Sequence, residues 1–266
     1  MISKISFSEK EIPYEKMEKY LGLSKKAVTN MPKPMLEKML SGALTPLIEL
    51  KFKNDEGREL NVPVKLRLER QPNGTVEPRV YPVSDHIARP KGLEIKDSEM
   101  ERLKRGEVVN KSVREIGDDG AMHTKSMYVQ LDRETNQLLS QKTKAVEIPN
   151  AIQGVELGLE QKKALLEGKP IQIEVGDQKI TAGVDLKSPI GFNIMKGDMM
   201  DWQRQNEIKW DISNPGAAQY WMTDQNRWEL KQSIPEKYIP ALERGQLRMQ
   251  EQAREQRQER SGGRHR

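Results

Sequence analysis

One pattern constrains this chain more than any single motif: an apolar helical stretch, closed by glycine and leading into extended chain, occurs three times. Residues 92–110, GLEIKDSEMERLKRGEVVN, and residues 154–172, GVELGLEQKKALLEGKPIQ, superpose on a shift of 62, which sets Gly92 on Gly154, Leu103 on Leu165 and Gly106 on Gly168. An earlier copy, MLEKMLSGALTPLIEL, puts Met39 and Gly42 in the last two places, 64 residues before Leu103 and Gly106. The pattern predicts helices over Pro34–Ser41, Asp97–Arg105 and Leu159–Glu167. Each stops at a glycine because the terminating residue turns left-handed, a conformation a β-carbon penalises.

Past each glycine the chain alternates as strands do. The first copy leads into Leu47–Phe52, Glu59–Arg70 and Thr75–Val83, with Asn73-Gly74 as a tight hairpin turn. The second leads into Val108–Ile116, the turn GDDG at Gly117–Gly120, and Met122–Leu131. The third gives Ile171–Val175, a turn at Gly176-Asp177, and Ile180–Leu186. It lacks a counterpart to the Leu131-Asp132-Arg133 turn and carries Met195-Lys196-Gly197 instead. Pro63, Pro78 and Pro82 suit edge positions, since proline has no N–H for a ladder.

The expected fold is therefore α+β: an N-terminal helical cap, about three helix-plus-antiparallel-meander repeats of 62–64 residues, a C-terminal helix and a basic tail. The division reads 1–88 for the cap and first unit, 89–148 and 149–200 for the second and third units, 201–233 for a tryptophan-rich subdomain, and 234–266 for the final helix and tail. Ser84–Lys91 and Ala145–Gln153 read as linkers. Hydrophobic residues make up 35% of the 266 and charged residues 32%, which favours thin-cored modules over one deep core.

Within the cap, a helix from Pro13 through Tyr20 meets Leu21-Gly22-Leu23-Ser24 and then a short helix, Ser24–Asn30. This resembles a helix-turn-helix, with Met17, Leu21, Leu23 and Val28 at its apolar contact positions. Glu18 stands where a tight crossing favours Ala, and Pro32 and Pro34 cut the second helix short, so a structural cap is the preferred reading.

The residues SFSEKEIPYEKMEKYLGL followed by MLSGALTPLIEL resemble an uncharacterised N-terminal domain common in mobile elements of Bacteroidetes. EMERLKRGEVV…MYVQLDRETNQLL and EQKKALLEGKPIQI…GFNIMKGDMMDW are similar to the uncharacterised repeat domain found downstream of it. The resemblance spans roughly residues 5–205. It implies a conjugative transposon, plasmid or phage setting, and likeness to non-catalytic parts of polyvalent proteins. The family assigns no catalytic residues, so it supplies none here.

Composition removes several chemistries. The chain has no Cys, which excludes disulfides, thiolate metal sites and cysteine nucleophiles. His86, His123 and His265 are too few and scattered for a histidine metal centre or triad. Asp118 and Asp119 fit turn chemistry better than Mg²⁺ binding, and His123 has no identifiable nucleophile beside it. No phosphate-loop, GxSxG, HExxH or EF-hand pattern occurs. The expectation is a protein that is not an enzyme, with no cofactor and no metal. The opening residues carry no apolar signal region and no stretch approaches a membrane span, so a cytoplasmic protein away from membranes is expected.

Two features point to partners. Trp202, Trp210, Trp221 and Trp228 fall close together, with Arg204, Lys209 and Arg227 among them. They read as packing for a small subdomain, as a protein-binding patch, or as a stacking platform for bases. Past Pro235, a last helix through IPALERG leads into a segment that carries seven Arg against three Glu over Arg244–Arg266. Arg248, Arg254, Arg257, Arg260, Arg264 and Arg266 could contact DNA or RNA phosphates. The body before it is nearly neutral. The expected function is thus a non-catalytic interaction protein of a mobile element that binds an element or host protein. The alternative is a nucleic-acid-binding accessory factor for DNA transfer, replication or counter-defence.

Overall fold

A computed structural model describes residues 7–53, 59–87, 92–116, 120–205, 219–222 and 227–231. Helices α1 (Tyr14–Leu21), α2 (Lys25–Thr29) and α3 (Lys33–Ser41) precede strands β1 (Ile48–Lys53), β2 (Glu59–Arg70) and β3 (Val76–Pro82). Then come α4 (Asp97–Lys104) with β4 (Val108–Ile116), β5 (Met122–Asp132) and β6 (Gln137–Lys142). The short pair β7 (Ala151–Ile152) and β8 (Val155–Glu156) leads to α5 (Leu159–Leu166), β9 (Ile171–Val175), β10 (Gln178–Val184) and β11 (Phe192–Lys196). The series closes with α6 (Met199–Gln205), β12 (Gln219–Met222) and β13 (Trp228–Lys231). The fold is α+β, and each of the three units is a helix followed by a three-stranded antiparallel meander.

The recurring sequence pattern has one structural cause. After α3, α4 and α5 the chain turns at Gly42 (φ 80°), Gly106 (φ 84°) and Gly168 (φ 81°). Each glycine amide bonds the carbonyl three residues back (Met39, Leu103, Leu165), and the next amide bonds the carbonyl five back (Lys38, Arg102, Ala164). This is the Schellman closure, repeated bond for bond. Met39, Leu103 and Leu165 are each fully buried.

Strand alternation then builds layers. Val64, Leu66 and Leu68 of β2 join Met17, Leu23, Val28 and Met35 of the helical cap in the first cluster. In the second sheet, Val109, Val129, Leu131 and Leu138 pack under Met100 and Leu103 of α4. Their neighbours Val108, Tyr128 and Leu139 face the opposite way and meet Leu165, Ile173, Ile180 and Phe192 of the third unit. The second sheet is therefore covered on both faces, which is why Tyr128–Asp132 is buried without interruption. The same cluster takes Leu44 and Tyr81 from the first unit and Val146 and Ile152 from the expected linker. The boundaries of the sequence units are not boundaries of packing.

Several expectations change. Residues 71–75 form a five-residue loop rather than a tight Asn73-Gly74 turn: Arg70 pairs with Val76, Gly74 has φ 82°, and Asn73 Oδ1 accepts from the Thr75 amide at 3.0 Å. The two-residue turn is Gly176-Asp177, where Val175 pairs with Gln178 and Gly176 supplies the positive φ, 60°. Pro78 and Pro82 do lie on the edge strand β3, but Pro63 lies in the inner strand β2. Its carbonyl accepts from Val83 at 2.9 Å, so its missing donor faces the end of the β3 ladder, where none is required. The third unit has its second turn after all, at residues 185–191 between β10 and β11, longer than the four-residue turn 133–136. Residues 201–233 do not form a separate subdomain where described. Helix α6 lies against the third unit, where Trp202 sits over Gly183. The hairpin β12–β13 extends the first sheet, β12 running parallel to β1. The expected helix from Pro235 and the basic tail lie outside the described residues.

Candidate interaction surface

Strands β4 and β5 are longer than their sheet. Strand β6 pairs with Met127–Asp132, while the β4–β5 ladder continues from Ser112–Ser126 out to Ile116–Met122. Those five further pairs make a two-stranded ribbon about 16 Å long. The base of the ribbon is anchored where Lys111 bonds Glu99 of α4 at 2.6 Å and Thr143 donates to the Ser126 carbonyl at 3.3 Å. Beyond that, Ser112, Arg114, Thr124 and Ser126 are exposed.

At the far end Ile116 and Met122 stand directly opposite each other, 72% and 65% exposed. A cross-strand apolar pair supports a ribbon by roughly 0.2–1 kcal/mol, yet most of this apolar area stays in water. Burying each side chain against a partner would release about 1.5–3 kcal/mol. The ribbon's described residues carry Arg114 and Lys125 against Glu115. Asp118 and Asp119 lie outside the described residues, and His123 pairs in register with Glu115.

Behind the ribbon the three units lock together. Leu186 is fully buried; its amide donates to Gln130 Oε1 at 2.6 Å, and its carbonyl accepts from the Arg67 guanidinium. The Leu44 amide bonds the Lys187 carbonyl at 3.2 Å. Lys65 of β2 reaches Asp132 of β5 at 2.9 Å and also pairs with Glu134. Burial opposes the Lys65 charge, but the two carboxylates outweigh it and hold the ammonium above its ordinary range. Thr135 Oγ1 donates to the other Asp132 oxygen at 2.8 Å. Burial, reinforced by the Glu69 carboxylate, pushes the Tyr81 hydroxyl up to about 12. A cleft of about 790 Å³ opens at this junction, with Lys65, Glu134, Asp185 and Lys187 on its wall. Its charges are mixed, Lys65 pairs with Glu134 across it, and its wall is drawn from the first, second and third units, so it reads as the seam between them.

The tryptophans do not gather into one platform where they are described. Trp202 is 5% exposed on α6, in the interior rather than on a partner-facing surface. Trp228 is half-buried on β13, and its indole N–H donates to the Ala27 carbonyl of α2 at 2.6 Å. Trp221 lies on β12 in register with Glu49. Trp210 and the tail arginines Arg248, Arg254, Arg257, Arg260, Arg264 and Arg266 lie outside the described residues. Among the described residues, no group of three or more His, Asp or Glu is placed to hold a metal ion, and no helix is long and apolar enough to cross a membrane. Sequence reasoning missed Ile116 and Met122 as a surface. The signal was there in two large apolar residues flanking a polar turn, but a strand end gives no sign that its sheet has stopped.

Residues 7–90 match a family described as a protein of unknown function (DUF4099). The match takes in α1–α3 and β1–β3 and stops well before β12 and β13. No curated protein and no solved structure matches the chain.

Proposed function

We propose that this chain is a non-catalytic interaction protein that binds a protein partner through the distal β4–β5 ribbon. The observation that carries the reading is the opposed pair Ile116 and Met122, exposed at the end of a two-stranded ribbon. Apolar side chains held opposite each other on a two-stranded support suit an apolar pocket. A setting in a mobile genetic element is drawn from the likeness of residues 5–205 to domains of such elements. The partner is then a protein of the element or its host. A pull-down from host cells with the full chain, with and without nuclease, tests the reading beside the variant I116D/M122D. A partner that survives nuclease and is lost with the variant supports it. Capture that depends on nucleic acid and follows deletion of residues 244–266 replaces it with the accessory-factor reading.

A further inference from the structure

We propose that the outer edge of β1 is a strand-acceptor site that takes the β12–β13 hairpin of a second copy of this chain in exchange for its own.

The matched family region ends at residue 90, yet its sheet is completed by residues 219–231. The added hairpin pairs with β1 at Ile48–Tyr220 and Glu49–Trp221. Met222 and Trp228 pack against the first cluster, and the Trp228 indole bonds Ala27. These contacts all fall on the first unit, so they are satisfied equally by a hairpin from another chain. A parallel ladder this short is a weak tie compared with the six-pair ladder between β1 and β2.

The connection also has the reach. Between Gln205 at the end of α6 and Gln219 lie 13 residues, which span up to ~45 Å when extended. Exchange of an identical element keeps every native contact and changes only loop closure, whose free energy varies slowly with length. The inference is independent of the ribbon and its partner.

The absence of native Cys makes the test direct. Two single variants, Glu49→Cys and Trp221→Cys, are mixed across a concentration series and oxidised. Residues in register on neighbouring strands lie within disulfide range, so a disulfide joining the two different variants forms when the hairpin of one chain sits on β1 of the other. The expected result is such a heterodimer, its share rising with concentration. If the double variant instead closes wholly within monomers and the mixture yields no heterodimer at any concentration, the proposal is overturned. Failure to close in either arrangement overturns the β1–β12 pairing beneath it. Deleting residues 207–216 gives a second readout that leaves both strands intact: a dimer by sedimentation supports exchange, and a monomer with β12–β13 released contradicts it.

Discussion

Gln130 Oε1 accepts the amide hydrogen of Leu186 at 2.6 Å, joining the middle strand of the second sheet to the turn after β10. Both residues are buried, Gln130 at 2% and Leu186 at 0% exposure, so no water stands ready to replace the bond. Gln130→Ala should destabilise the protein by about 1–3 kcal/mol, the cost of stranding a buried amide. Urea unfolding measures this as a lower midpoint with an unchanged slope.

Gly168 and Gly74 have nearly the same backbone, φ 81° and 82°, and different surroundings. A β-carbon at Gly74 meets nothing within 4 Å, whereas one at Gly168 stands 3.0 Å from the Val108 carbonyl oxygen. Gly74→Ala should therefore cost the conformational strain alone, about 1 kcal/mol. Gly168→Ala adds displacement of β4 from α5, where Tyr128 Oη donates to the Leu166 carbonyl at 3.1 Å. Its loss of stability by thermal unfolding should be at least twice as large.

The Lys65–Asp132 pair links the first two units from within. Removing Asp132 leaves the Lys65 ammonium, 5% exposed, with Glu134 as its remaining carboxylate. Asp132→Ala should cost about 3 kcal/mol, while the apolar pair Lys65→Met with Asp132→Leu should cost much less. A double-mutant cycle separates the two. Because the Lys65 value is raised on folding, its contribution is fully present at neutral pH and is lost only as pH rises through the folded value, above the ordinary lysine range.

Glu11 titrates in the opposite sense. The Ser8 amide, then Arg70 and the Ser8 hydroxyl, hold its carboxyl down at about 2. A depressed carboxyl stabilises the fold above its unfolded value of 4.5, and the contribution is lost as pH falls through about 2. Side-chain carboxyl NMR should place the Glu11 midpoint near 2. Arg70→Ala should raise it partway, because the Ser8 amide, 2.9 Å away, remains.

Much of this architecture was written in the sequence. The helix–glycine–strand recurrence located α3, α4 and α5 because each stop needs the same left-handed residue. Other parts were illegible for physical reasons. Lys65, Arg67 and Glu69 alternate with Val64, Leu66 and Leu68 as a solvent face would, yet Lys65 and Arg67 face the other units. Pairing of β12 with β1 joins residues about 170 positions apart, and no local period reports that. The turn at Leu131-Asp132-Arg133 was legible, but strand β6 after it was not, because the turn is built by Asp132, Thr135 and Asn136 with neither Gly nor Pro to mark where the strand resumes. The ribbon was visible as strands but not as a surface, since exposure depends on where β6 ends.

Three sequence units thus form one interlocked body, with Leu186 where they meet. Native-state hydrogen exchange is the sharpest check of that interlock, comparing the slowest amides of β2, β5 and β10. One shared opening free energy is expected for all three strands, lowered together by Gln130→Ala. Three distinct values, with Gln130→Ala affecting β5 and β10 while β2 stays unchanged, would contradict it.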